Sequence, residues 1–195
     1  MTDDQLDALG IDRKWLEPLN VVLLKYDINT PVRQAAFIGQ CAHESNNFKV
    51  LQENLNYSAE GLMKTWPSRF PDLQTANQYA RQPAKIAGKV YNGRLGNTSE
   101  EEASKFLGRG LIQLTGKENY DNCGKAIGVD LISEPQLLAE PNYACMSAGW
   151  FWNKKGLNAL ADAKDYDTMT KRINGGLIGL DDRKAKINAA LKVLG

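Results

Sequence analysis

The stretch TPVRQAAFIGQCAHESNN, residues 30 to 47, constrains the fold more than any other. Thr30 followed by Pro31 reads as a helix N-cap with proline at the first helical position, where a missing N–H costs nothing. From there Val32, Ala35, Ala36, Phe37, Ile38, Gly39, Cys41 and Ala42 wrap small and apolar surface around most of the circumference. A helix apolar nearly all round is enclosed by other elements, so this one belongs at the centre of a helical body. The run then ends in His43 and Glu44, followed at once by Ser45-Asn46-Asn47. His43 is the only histidine in 195 residues. The chain carries it, with a carboxylate, to the end of a core helix and stops.

The remaining punctuation is also helical. DRKWLEPLNVVLLKYDI places Leu16, Leu19, Leu23 and Tyr26 on one helix face. Ser58 and Thr75 read as caps of short helices, and Pro83 restarts a helix that ends near Tyr91-Asn92-Gly93. Pro141 opens another, which stops at Gly156 after Lys154 and Lys155. Asp165 caps YDTMTKRI, and LDDRKAKINAALKVL is amphipathic to the end of the chain. The acidic SEEEAS is a solvated loop or a helix start. Only GRGLIQLTG looks like a strand, and it is short. The fold class expected is all-α, one domain over 1–195. Residues 54–108 are richer in polar and turn residues and read as a smaller lobe, with a groove between it and the helical body.

Charge and cysteine usage narrow the partners. Twenty-four basic and 23 acidic side chains leave a formal +1. No run of like charge suggests a nucleic-acid arm or a membrane-binding face. MTDDQLDALGIDRK lacks the features of a secretory signal, and no window is apolar enough to span a bilayer. Cys41, Cys123 and Cys145 are odd in number and widely spaced, so they read as buried thiols of a reducing compartment rather than disulfides or zinc ligands. A monomer is expected, with no nucleic acid, no stable membrane insertion and synthesis in the cytoplasm.

A single histidine rules out a HExxH zinc site, and no Gly-x-Ser-x-Gly elbow presents a serine. GRLGN and GRG lack the Lys-Ser/Thr of a phosphate loop. What remains is carboxylate chemistry without metal or organic cofactor. Glu44, beside an apolar helix and His43, is placed to hold a proton as a general acid must. Glu53, in LQENLNYS, is the candidate partner nine residues on. On one continuous helix the two would sit about 13.5 Å apart on opposite faces. The Ser45-Asn46-Asn47 break must therefore turn the chain if they are to meet. The plainer reading makes each glutamate a surface ion pair.

FIGQCAHESNNFKVLQENLNYSAEGLMKTWPSRFP, then FLGRGLIQLTGKENY, then RINGG resemble the family 19 glycoside hydrolases. Within that family the chain looks most like phage and prophage endolysins, the muralytic relatives of plant chitinases. The resemblance runs from about Val32 to Arg183, with the three blocks in the family's order. It implies a mostly helical, lysozyme-like, two-lobed catalytic domain with a long, central sugar-binding groove. By the same resemblance Glu44 matches the general acid, Glu53 the base that activates water, and Thr115 the hydroxyl residue that holds this water. Gln113, Asn119, Tyr120 and Asn174 match positions that line the groove and bind sugar or carboxylate. Arg183 lies where the family has an arginine near the second carboxylate. His43 takes an orienting role near Glu44. Trp66, in the polar middle region, is the tryptophan placed to stack on sugar, since Trp150 and Trp152 lie in a core helix.

Structural roles stand beside these. Thr115-Gly-Lys-Glu118 also spells a capping box, and Asn174-Gly175-Gly176 also spells a helix C-cap turn. The activity implied is hydrolysis of β-1,4 bonds in peptidoglycan glycan strands by inversion, with the carboxylates roughly 6.5–9.5 Å apart. An endolysin of this kind waits in the host cytoplasm until a separate membrane-permeabilising factor, a holin, gives it access to the periplasm and the cell wall. The alternatives are a chitinase acting on N-acetylglucosamine polymers and a non-catalytic cell-wall-binding relative.

Overall fold

The computed structural model describes residues 1–195 and is all-α. The first helices are α1 (Asp3–Ala8), α2 (Leu16–Lys25) and α3 (Pro31–Glu44). The middle of the chain carries α4 (Ala59–Thr65), α5 (Leu73–Asn77), α6 (Pro83–Tyr91), α7 (Glu100–Lys105) and α8 (Lys117–Ile127). Then follow α9 (Pro141–Lys154), α10 (Leu157–Asp162), α11 (Tyr166–Asn174) and α12 (Leu180–Leu194). No helix is long and apolar enough to cross a membrane.

The chain divides into two compact units. The first comprises residues 1–51, 110–113 and 137–195. Its core is built around α3, where every residue from Ala35 to Ala42 is buried. Thr30 caps α3 through its side chain, accepting from the Arg33 N–H, and Pro31 starts it. Phe37 meets Trp152 of α9 edge-on, with ring centroids 5.4 Å apart. α12 packs along α3 so closely that a Cβ on Gly39 would lie 2.5 Å from Ile187 Cγ1 and 2.7 Å from its backbone nitrogen. Only glycine lets the two backbones approach this far. α1 was not legible as a helix beforehand, although Thr2 and Gln5 form a capping box at its start.

The second unit comprises residues 52–109 and 114–136. It holds a separate apolar cluster, with Leu62, Phe70, Ile86 and Val90 at its centre. Beyond 54–108 it takes in α8, which the sequence does not set apart by composition. Ser58 caps α4, accepting from the Gly61 N–H at 3.1 Å. α5 is capped by Asp72 and not by Thr75, whose own N–H donates to Asp72 at 2.7 Å. SEEEAS is a helix start: Ser99 caps α7 and its glutamates occupy the first turn, where the helix dipole favours them.

GRGLIQLTG is not a strand. Gly110 has φ +80° and Gln113 has φ +52°, left-handed positions that break extended geometry. What remains of β structure is two isolated bridges, Gln52 with Arg109 and Arg109 with Leu114.

Candidate active site

In the first unit, two consecutive residues at the end of α3 face two consecutive residues at the start of α12. Arg183, 1% exposed, donates to Glu44 Oε1 at 2.5 Å and to Gln40 Oε1 at 2.6 Å. One residue away, His43 Nδ1 and Asp182 Oδ2 are 2.6 Å apart. The His43 ring also lies against Gly179, where a Cβ would come within 2.4 Å of Cε1. Asp182 is held below the usual aspartate range, chiefly by its hydrogen bond to His43 and further by Lys186. The sequence suggested an apolar setting for Glu44; the structure gives it a buried guanidinium partner. Arg183 bonds Glu44 through Oε1. Arg183 was expected beside the second carboxylate as a ligand for substrate. Its burial and its bond to Glu44 make it a holder of the first.

The chain reverses directly after Glu44. Asn46, Asn47 and Phe48 have φ of +48°, +55° and +62°, three left-handed residues in succession. Each costs about 1–2 kcal/mol for a residue with a Cβ, less for asparagine. Ser45, fully buried, offsets this: its hydroxyl donates to the Cys41 carbonyl at 2.6 Å and accepts from the Phe48 N–H at 2.9 Å. Phe48, the least tolerant of the three, is fixed by burial against Trp15 at 5.2 Å. The Ser-Asn-Asn break is thus a built turn.

In the second unit, Glu53 is held by two donors. Its Oε1 accepts from the Gly108 N–H at 2.7 Å and its Oε2 from the Tyr91 hydroxyl at 2.8 Å. Its own N–H donates to the Gly108 carbonyl at 2.9 Å. Both carboxylate oxygens therefore act as acceptors, the state a base requires. Burial, and then the Glu53 charge, push the Tyr91 phenol well up, so Tyr91 remains a donor. Nothing in the sequence pattern pointed to Tyr91 or Asp182, because their roles depend on contacts at long range.

The other expected residues separate into groups. Thr115 is half-buried and precedes α8, but the N-cap is Gly116 at φ +91°, so the capping box spelled by Thr115 and Glu118 does not form. Asn119 donates to the Thr115 carbonyl at 2.8 Å and so fixes the backbone that presents Thr115. Tyr120, expected to contact sugar, is fully buried on the inner face of α8; its hydroxyl donates to Leu107 O and accepts from Arg109. Burial pushes that phenol up to about 12. Trp66 is half-buried, edge-on to Tyr57 at 5.0 Å. In the first unit, Gln113 donates to the Gly110 carbonyl at 3.0 Å. Asn174, exposed, accepts from the Gly176 N–H and donates to Ile178 O, while Gly175 at φ +83° ends α11. Asn174-Gly-Gly is thus a C-cap turn whose asparagine also staples the following loop.

An all-α chain that fixes one glutamate with a buried arginine and another with a tyrosine and a backbone amide has the parts of a glycosidase. The fold agrees: chitinase C from Streptomyces griseus superposes with a TM-score of 0.68 at 19% identity, covering 100% of this chain and 92% of that one. A family model described as chitinase class I matches residues 25–159. A glycosyl hydrolase family 19 domain-containing protein of Haemophilus influenzae is 43% identical over 165 residues, 83% of this chain and 80% of that protein. The chain belongs to glycoside hydrolase family 19, and its fold is the lysozyme-like, all-α fold of that family. An Arabidopsis thaliana endochitinase is 38% identical over 77 residues, 39% of this chain and 27% of that protein. The chain spans less than half the length of the plant endochitinases it matches.

Proposed function

We propose that this hydrolase cuts β-1,4 bonds of the peptidoglycan glycan strand by single displacement with inversion. Glu44 protonates the leaving oxygen. Glu53 takes a proton from the attacking water, which Thr115 also holds. The observation that carries the reading is the contrast between the two carboxylates. Arg183 occupies Glu44 Oε1 and leaves Oε2 to deliver the proton, whereas Glu53 is presented as an acceptor on both oxygens. His43 and Arg183 orient Glu44, while Gln113, Asn119, Asn174 and Trp66 hold sugar directly or through the backbone they fix. The match over most of the chain to a bacterial family 19 protein supports glycan hydrolysis, and murein as the glycan rests on the resemblance of the three sequence blocks to endolysins.

The biological role that follows is that of an endolysin. The enzyme acts as a monomer, is kept in the host cytoplasm, and lyses the cell once a separate membrane-permeabilising protein opens the way to the wall. Cytoplasmic production alone is then tolerated until the inner membrane is opened; lysis with that membrane intact contradicts the role.

A second reading has its own support, since the matched plant proteins and the similar solved structures are named chitinases. Digests of murein and of chitooligosaccharides, reduced with borohydride and identified by mass spectrometry, separate the two. The murein reading expects muropeptides with reduced sugar ends at low enzyme concentration. Release of products from chitooligosaccharides alone would leave the chitinase.

A further inference from the structure

The GRLGN motif, unused as a phosphate loop, has a different construction in the structure. Residues 92–97 form a tight loop directly after Tyr91, the residue whose hydroxyl holds Glu53. The Gly93 N–H donates to the Asn97 carbonyl at 3.1 Å, the Asn97 N–H to the Arg94 carbonyl at 3.0 Å, and the Arg94 N–H to the Tyr91 carbonyl at 3.2 Å. Gly93, Leu95 and Gly96 all have positive φ. Leu95, at +54°, is a strained position for a residue with a branched side chain, and such strain persists only where the surroundings enforce it.

The enforcement is visible. Asn97, 3% exposed, donates to the Tyr91 carbonyl and accepts from the Lys117 N–H. The Leu95 carbonyl accepts from the Glu118 N–H at 3.0 Å. Leu95 Cβ packs so tightly on Gly116 that a Cβ there would lie 2.3 Å away, and one on Gly96 would lie 2.8 Å from Glu118 Cβ. The loop is fixed from both sides, yet its tip holds out Arg94. That side chain is exposed and forms no ion pair, although its charge reaches the Tyr91 phenol. A rigid loop that presents an unpaired guanidinium beside the residue orienting the base is poorly explained by stability, because an exposed cation contributes little.

The geometry points to Arg94 as the residue that recognises a carboxylate on the glycan strand, and so separates an acidic strand from a neutral one. A guanidinium suits this task because its planar fork pairs with a carboxylate through two parallel hydrogen bonds. The inference rests on the murein reading, in which the strand carries carboxylates on its stem peptides, or on its lactyl ethers where those peptides are absent.

The test compares Arg94→Gln and Arg94→Lys with the natural enzyme on three forms of murein glycan. One retains its stem peptides, one has been stripped of them to expose the lactyl carboxylates, and one has all carboxylates amidated. Arg94→Gln is expected to raise KM roughly tenfold or more on a carboxylate-bearing strand, the worth of a charge-assisted hydrogen bond. Its kcat stays within about twofold and its KM on the amidated strand is unchanged, since the hydrogen bond is a binding contact. Arg94→Lys recovers part of the loss. A rise on stripped strands assigns the lactyl carboxylate, and a rise confined to peptide-bearing strands assigns the stem peptide. An unchanged KM on both charged strands, or an equal rise on the amidated one, overturns the role of Arg94 while leaving murein cleavage in place. If the natural enzyme cleaves no murein at all, both readings fall.

Discussion

At the scale of the residue, the structure changes what substitution of Glu44 should do. Glutamine matches glutamate in shape, so Glu44→Gln should leave a folded protein. Yet Arg183 is almost fully buried and its charge is balanced by Glu44. Glu44→Gln keeps an acceptor for the guanidinium but removes the counter-charge that Glu44 supplies in its ionised form, the form that must take up a proton before each turnover, so a loss of about 2 kcal/mol is expected in addition to near-complete loss of turnover. Arg183→Met, which removes the buried charge as well, is expected to recover part of that stability when combined with Glu44→Gln. Denaturant midpoints of the two single variants and the double variant check this. Thr115 changes in the opposite direction. With Gly116 as the N-cap, Thr115→Ala forfeits no cap contribution of about 1 kcal/mol. A fall in kcat is expected, and retained kcat would remove Thr115 from the reaction.

At the scale of the element, Glu44 is positioned by the contact between α3 and α12. Two adjacent pairs, His43 with Asp182 and Glu44 with Arg183, tie the end of one helix to the start of the other. Gly39 sets how closely the helices approach. Gly39→Ala would drive a Cβ into the Ile187 backbone, which cannot give way as a side-chain tip can, so α12 must shift and carry Asp182 and Arg183 with it. A destabilisation of about 1–3 kcal/mol is expected, accompanied by a fall in kcat larger than any rise in KM. Thermal unfolding and steady-state kinetics measure the two. Single elements were legible where punctuation was strong: Thr30-Pro31 and the stop at Glu44 define α3 to the residue. The Asp72 cap and the turns within GRGLIQLTG were not legible. A cap can be shifted by three residues without changing the composition of its window, and glycines that permit left-handed turns also occur in strands. The pairing of residues 43 and 44 with 182 and 183 spans most of the chain, and no local pattern encodes it.

At the scale of the whole molecule, several carboxylates lie below their ordinary pKa because they accept hydrogen bonds in the folded state. Asp182 is lowered chiefly by His43 and Asp162 by Arg33. Glu102 is held at about 2, against an ordinary 4.5, by Lys117 first and by Thr98. A carboxylate with a depressed folded pKa contributes stability that is full above its unfolded pKa and is lost as pH falls through the folded value. Stability should therefore be level above about pH 5 and decline below about pH 4. Glu102→Gln should differ most from the natural protein above pH 4.5 and converge with it toward pH 2; a difference independent of pH in acid titrations would remove this pair from the account. The all-α class and the two candidate carboxylates were readable from helix stops and sequence blocks. The groups that fix them, Arg183 on Glu44 and Tyr91 on Glu53, required the folded chain. The central claim is that Glu53 activates water opposite a leaving group protonated by Glu44. Nuclear magnetic resonance of freshly cut glycan tests it most directly: the new reducing end is expected to appear first as the α-anomer and then mutarotate, whereas a β-anomer or a 1,6-anhydro end would contradict the roles given to Glu53 and Thr115.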